Sequence, residues 1–269
     1  MKVMLNIQNN TFLTESEIKD KAKSIFTTTG APGTSEKYAH ISTKQIVDDM
    51  AKLGWGVVDA KQVRARKDEG YQKHLVVFRN NDIVINGEDG DHAYPQILLT
   101  NSHDGKNAFT FTAGLFRMVC ENGLVICSKE FENLKIRHYG YDFEELKNVI
   151  GTMVEKLPLT VESMNQFKKK KLRKEQIEEF AKKAAAIRFG AEQLENITID
   201  FDDLVTPTRP EDNGNDLWSV FNVVQEKLVH GMFEYTSGSK LRKARKIKNF
   251  KQDLDLNAKL YELAVEYAA

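Results

Sequence analysis

Trp55-Gly56-Val57-Val58-Asp59-Ala60-Lys61-Gln62-Val63-Arg64-Ala65-Arg66, then Lys67-Asp68-Glu69-Gly70, then Lys73-His74-Leu75-Val76-Val77-Phe78-Arg79 is the stretch that decides the fold class. Past Trp55 the side chains follow a period of two. Val57, Lys61, Val63 and Ala65 are expected on one face of a strand and Gln62, Arg64 and Arg66 on the other. Lys67 to Gly70 is polar and ends in glycine, as a turn requires, and the apolar run to Phe78 is the returning strand of a β-hairpin. Downstream, an acidic loop with Gly87 and Gly90 leads to a third strand, Gln96 to Asn101. Asp104-Gly105 then turns the chain into a fourth, Ala108 to Arg117. Strands joined by short turns make an antiparallel meander. Val119 to Ile126 is compatible with a strand or a short buried helix.

Helical signals lie on both sides of the meander. Thr14 and Glu17 have the spacing of a capping box and open a helix expected to reach Thr27, where Gly30, Pro32 and Gly33 begin a loop. Ser42 and Gln45 repeat that spacing, with Ile46, Met50 and Leu53 on one face and Gly54 as the stop. From Asp142 the stripe Phe143, Leu146, Val149/Ile150 and Met153/Val154 is helical until Pro158. A charged helix is expected over Val161 to Arg188 and a connecting loop over Asp200 to Gly214. A helix from Asp216 to His230 is stopped by Gly231, and a last one spans Asp253 to Tyr267. The expected architecture is α+β: an antiparallel meander with flanking helices and a helical C-terminal region. Its parts are an N-terminal helix and loop (1–35), an α+β core (36–140) and the helical region (141–269).

The 269 residues, 41% hydrophobic, suffice for a substantial core and exclude low-complexity disorder. No apolar run is long enough to span a bilayer, Met1 to Asn10 lacks the pattern of a signal peptide, and Cys120 and Cys127 form no disulfide framework. A cytosolic protein with no membrane partner is expected. The 39 basic and 39 acidic residues cancel in sum but are sorted along the chain. Lys61 to Arg79 carries six basic residues and two acids, and Lys168 to Lys174 six basic residues in seven positions. Lys240 to Lys251 carries seven basic residues in twelve positions without an acid. Blocks of this kind suit contact with phosphates.

No phosphate-cradling P-loop or dinucleotide glycine motif is present, so nucleotide hydrolysis and Rossmann cofactors are not expected, nor any other cofactor. His74, His103, Asp104 and His138 are the candidate metal ligands. Against them stands the reading of Asn101-Ser102-His103-Asp104-Gly105 as a turn held by its own short side chains. The hairpin cations Arg64, Arg66, Lys67, Lys73 and Arg79, extended by Arg117 and Arg137, form a candidate phosphate track, because a guanidinium donates two parallel hydrogen bonds. Lys168 to Lys174 is balanced by Glu175 and Glu178 at helical spacing, which marks an exposed face. Lys240, Arg242, Lys243, Arg245, Lys246 and Lys248 follow Thr236-Ser237-Gly238-Ser239 and read as a mobile basic arm, with Tyr235 and Phe250 placed to stack on bases.

Tyr38-Ala39-His40-Ile41-Ser42-Thr43, Lys73-His74 to Phe78-Arg79, Thr100 to Gly105, Gly114-Leu115-Phe116-Arg117 on to Leu124, and Arg137-His138 resemble a family of unknown function found in prophage and mobile-element proteins. Asp216-Leu217-Trp218, Gln225-Glu226 and Leu254-Asp255-Leu256-Asn257 extend the resemblance over nearly the whole chain. It implies a mobile-element context in a bacterial host; the family has no well-defined activity. Residues 38 to 79, with Leu53-Gly54-Trp55 ahead of the basic hairpin, are also similar to the start of the recombination-mediator type of single-strand annealing protein. That likeness implies ATP-independent annealing by rings or filaments.

The expected function is therefore single-stranded DNA binding and strand annealing or recombination by a homo-oligomer, with no catalytic residues. A metal-dependent nuclease or hydrolase is the second reading. A phage-encoded inhibitor of host defence, acting through protein binding, is the third.

Overall fold

The hairpin expected between Trp55 and Arg79 forms its paired strands, with one residue too many. β1 (Gly56–Gln62) pairs antiparallel with β2 (His74–Arg79), but Val57 faces Phe78 while Asp59 faces Val77, so Val58 is a bulge. A single inserted residue exchanges the two faces of everything beyond it. Ala60 and Gln62 therefore join Val57 on the side facing the helices, and the simple alternation that put Lys61 and Val63 there is corrected. The paired strand ends at Gln62. Val63 keeps one backbone bond to Lys73, 3.0 Å, and Arg64 beyond it is exposed.

The computed structural model describes residues 11–35, 38–64, 69–86, 92–107, 109–117, 122–125 and 142–269. They belong to two compact units, Met1–Leu157 and Pro158–Ala269. In the first, β3 (Ile85–Asn86), β4 (His92–Asn101), β5 (Thr110–Arg117) and β6 (Asn122–Val125) complete an antiparallel sheet in the order β1-β2-β4-β5-β6, with β3 paired to β4. The third strand is thus longer than expected and runs through Pro95. A proline is tolerated there because β4's β2-side edge is unpaired between Gln96, the last partner of β2, and Ala93, the first partner of β3.

One face of this sheet carries the core. α1 (Glu15–Lys21), a short 3-10 turn (Lys23–Phe26), α2 (Thr43–Lys52) and the start of α3 (Phe143–Lys169) supply Ile18, Ile25, Ile46, Met50, Leu146, Ile150 and Met153. The sheet supplies Val57, Ala60, Val76, Phe78, Ile97, Leu99 and Phe111. The capping box is present: Glu17 N donates to Thr14 Oγ1 at 3.4 Å and Thr14 N donates to Glu17 Oε2 at 2.8 Å. The helix it opens stops at Lys21 instead of Thr27, because the next turn is wound as 3-10 to bring Ser24 to Gln62. Ser42 caps α2 by accepting from Gln45 N.

The second unit is mainly helical. Helical backbone in α3 continues through Pro158 to Lys169, correcting the expected interruption. The expected single helix over Val161 to Arg188 is divided, with α4 spanning Lys174–Phe189. Between the two helices Leu172 N donates to Asn215 O and Leu217 N to Lys170 O, so the chain trades helical bonds for bonds to the segment before α7, and Leu172 becomes buried. α5 (Ala191–Glu195), β7 (Ile197–Ile199) and α6 (Phe201–Val205) follow; α6 lies inside the expected loop, started by Asp200, whose carboxylate accepts from Asp202 N and Asp203 N. α7 (Leu217–His230) has the expected limits, Asp216 at its start and left-handed Gly231 at its end. Leu217 to Val229 are buried apart from Ser219, so the charged residues among them must be paired: Glu226 by Arg209, and Lys227 by the backbone oxygen and carboxylate of Asp203. β8 (Glu234–Ser237), β9 (Lys240–Lys243) and α8 (Phe250–Ala268) complete the unit, and β7-β8-β9 form a small antiparallel sheet.

Candidate functional site

The block of cations between Lys240 and Lys248 is a strand and a docked segment, which corrects the expectation of a mobile arm. Gly238, with φ of 60°, turns β8 into β9, setting Tyr235 opposite Arg242 and Glu234 opposite Lys243. Beyond β9 the chain is pinned by Ala244 N to Phe233 O and Ile247 N to Val229 O, both 3.0 Å. Lys240, Arg242, Lys243, Arg245, Lys246 and Lys248 remain exposed along this course. Phe250 is 4% exposed and packs in the core of the unit, so it is not available for stacking, whereas Tyr235 is half-buried.

The last turn of α4 approaches the same strand. Arg188 Nη2 donates to Arg245 O at 2.7 Å, and its guanidinium lies 5.4 Å from the ring centres of both Phe189 and Phe233. Phe189 is in turn 5.5 Å from Tyr235 and 6.1 Å, edge-on, from Phe233. The result is a recess of about 560 Å³ lined by Arg188, Phe189, Tyr235, Arg242, Lys243, Ala244 and Arg245. Four cations, two aromatic rings and no carboxylate form its wall. Burial pulls the Arg188 guanidinium below its ordinary pKa, with the nearby Tyr235 hydroxyl acting the other way; it remains a cation at neutral pH. None of Arg242, Lys243 and Arg245 is ion-paired to another described residue. Such a wall suits an anion that carries a flat apolar group.

Arg188 and Phe189 escaped the sequence reading. A basic residue in the last turn of a helix followed by glycine is the ordinary way to complement the helix end, so the only local signal pointed to capping.

The hairpin cations are more scattered. Arg79 is 3% exposed, its Nε donating to Asn81 Oδ1 at 2.9 Å and its guanidinium resting 5.1 Å from the Tyr94 ring centre; burial lowers its pKa. Held in that way it does not reach a ligand at the surface. Lys73 is half-buried and Arg64 exposed. Arg117 pairs with Ala93 and Asn122 in the sheet. Arg66, Lys67, Arg137 and His138 lie outside the described residues, as do Cys120 and Cys127.

The histidines do converge. The ring centres of His40 and His103 are 4.6 Å apart, and those of His103 and His74 5.1 Å. His74, buried between sheet and helices, sits 3.1 Å from Gln72 O and 3.0 Å from Ser24 Oγ through Nδ1, and 2.9 Å from Thr43 Oγ1 through Nε2. A carbonyl oxygen only accepts, which assigns the proton to Nδ1. Nε2 then accepts from the Thr43 hydroxyl, which itself accepts from Asn101 Nδ2 at 2.9 Å. The Ser24 hydroxyl donates to Gln62 Oε1 at 3.0 Å. Burial depresses the His74 pKa to about 4, partly opposed by the Gln72 carbonyl, so the ring is neutral. Both nitrogens are thereby used in holding strand to helix. Asp104 accepts from Ser102 Oγ at 2.6 Å and from Lys106 N at 3.0 Å, while Gly105 has a φ of 71°, the geometry of the side-chain-stabilised turn. Among the described residues no group of three or more His, Cys, Asp and Glu side chains is placed to hold a metal ion, and no described helix is long and apolar enough to cross a membrane.

Two curated Escherichia coli K12 proteins are similar along their length. UPF0380 protein YafZ is 29% identical over 259 residues, covering 94% of this chain and 90% of the relative. UPF0380 protein YfjQ is 28% identical over 258 residues, again 94% and 90%. No solved structure matches. The comparisons give no support to the local likeness of residues 38 to 79 to recombination mediators. With residues 33–261 matched by the domain of unknown function DUF932, the chain belongs to that family.

Proposed function

We propose that this protein binds single-stranded DNA and promotes annealing of complementary strands without nucleotide hydrolysis. The observation that carries the reading is the recess of the second unit, where Arg188, Arg242, Lys243 and Arg245 surround a space flanked by Phe189 and Tyr235. Cations hold the sugar-phosphate chain and an aromatic ring stacks on a base, an arrangement that tolerates any sequence because every base has a π-face. The exposed Lys240, Lys246 and Lys248 enlarge the positive surface beside it. Neutralising two backbones lowers their mutual repulsion, and holding them in place shortens the search for register. Assembly of several copies, each contributing one recess, would extend the track along a strand.

An annealing assay with complementary oligonucleotides, in the absence of ATP, tests this. Wild-type protein is expected to accelerate duplex formation, and the Arg242→Ala/Lys243→Ala double variant, altered only at exposed strand positions, to lose most of that acceleration and of single-strand affinity. A folded double variant that binds and anneals like wild type sinks the reading.

A further inference from the structure

The recess is bounded, and one of its cations is unlike the rest. Its volume of about 560 Å³ lies in the range of cavities that enclose a single small ligand, roughly 300–1,000 Å³. Arg188 is fixed before any ligand arrives: Nη2 is held by Arg245 O, two phenylalanine rings flank the guanidinium, and Nη1 is buried with no hydrogen-bond partner among the described residues. A buried donor left unsatisfied is uncommon in a native fold and asks for an explanation. Here the Phe189 and Phe233 rings cover the guanidinium.

Resting on the reading of the recess given above, we propose that it captures a terminal phosphate monoester, with the half-buried Arg188 as the anchor and the adjoining base against Tyr235. Charge and connectivity both favour a terminus. An internal phosphodiester carries one negative charge, whereas a monoester carries about −1.5 to −2 at pH 7. Four cations without a lining carboxylate match the dianion better. An internal phosphate must also lead two chain segments out of the recess, a terminal one only one. Arg188, held in place through Arg245 O, lines the recess with a planar guanidinium beside three exposed cations, a group suited to a phosphate oxygen. The exposed Lys240, Lys246 and Lys248 beside the recess bind the next phosphates along the strand, whose contacts do not require a free end.

The same chemistry is presented by a phosphorylated strand end and by a free nucleoside monophosphate, and the experiment separates them. Fluorescence anisotropy of the full chain is measured with otherwise identical oligonucleotides bearing a 5′-phosphate, a 3′-phosphate or neither, each labelled at the opposite end. Deoxyadenosine monophosphate and deoxyadenosine serve as competitors. One phosphorylated form is expected to bind roughly tenfold more tightly than the unphosphorylated form. Arg188→Gln should erase that difference by weakening the phosphorylated strand far more than the unphosphorylated one, and Arg188→Lys should restore part of it. Competition by the monophosphate but not the nucleoside identifies free nucleotide as a ligand; competition by phosphorylated strands alone identifies the strand end.

Equal affinity for all three oligonucleotides, with Arg242→Ala/Lys243→Ala still weakening each, overturns the terminal-phosphate proposal and spares DNA binding. Failure of every oligonucleotide to bind overturns both. Should Arg188→Gln not fold, the comparison of the three strands on wild type and on the exposed variant Arg242→Gln decides: no preference for a phosphorylated end in wild type overturns the proposal, and a preference reduced in Arg242→Gln supports it.

Discussion

Gly231 lies directly against the backbone of Arg245: a Cβ placed on the glycine would stand 2.5 Å from the Arg245 carbonyl carbon and 2.8 Å from the Ala244 carbonyl carbon and oxygen. The glycine also has a φ of 69°, ending α7 in the left-handed region. One position thus stops the central helix and lets the floor of the recess press against it.

Gly231→Ala is expected to cost on the order of 1–3 kcal/mol, combining left-handed strain with displacement of main chain that has nowhere flexible to go. Because the displaced residues are Ala244 and Arg245, single-strand affinity should fall with stability. Urea unfolding together with anisotropy checks both; a variant equal to wild type in each measurement contradicts the geometry.

His74 makes stability depend on pH. Its folded pKa is about 4 against an ordinary value of 6.5, so between those values the unfolded chain takes up a proton that the folded one refuses. Stability associated with this residue is complete above pH 6.5 and drains away as pH falls towards 4, by about 3 kcal/mol in all. Unfolding free energies at a series of pH values should therefore slope steeply for wild type, and less for His74→Gln, whatever that variant's stability at pH 7. Parallel curves would exclude His74 as the source.

Arg209 holds two carboxylates inside the second unit, Asp212 and Glu226, whose side chains are 1% and 9% exposed. Its removal takes the guanidinium away from both carboxylates. Arg209→Met is expected to destabilise the protein by roughly 3–5 kcal/mol, the range for breaking a buried ion pair from one side. Thermal unfolding reads this directly, and a loss below about 1 kcal/mol would mean that the carboxylates are solvated or otherwise paired.

Binding to single strands should weaken with salt in proportion to the phosphates contacted, the logarithm of affinity falling by about 0.7 per contact for each unit of log salt. Removing Arg242 and Lys243 together ought to reduce the slope as well as the affinity. If affinity falls while the slope stays the same, the two side chains are not neutralising phosphates.

Much of the architecture was legible along the chain, for reasons of short range. Thr14 and Ser42 cap helices through groups three residues away, the apolar stripe Leu146, Ile150 and Met153 follows the helical period, and Asp216 and Gly231 bracket α7. The turn at Ser102 to Lys106 is likewise made by its own side chains. Each of these signals lies within a few residues of its effect.

What the chain could not announce is what came from elsewhere to meet it. The bulge at Val58 reverses the faces of β1 and sends Gln62 towards Ser24. Burial removes Arg79 and Phe250 from the surface, although nothing in their immediate neighbours distinguishes them from Arg242 or Tyr235. The recess joins the end of α4 to a strand more than fifty residues later. Sequence by itself determined the α+β class, the starts of α1, α2, α3 and α7 and the existence of a cationic block after Tyr235. Only the tertiary structure decided which cations converge, because periodicity and capping act over one or two turns, whereas burial and convergence depend on segments that packing brings together from distant parts of the chain.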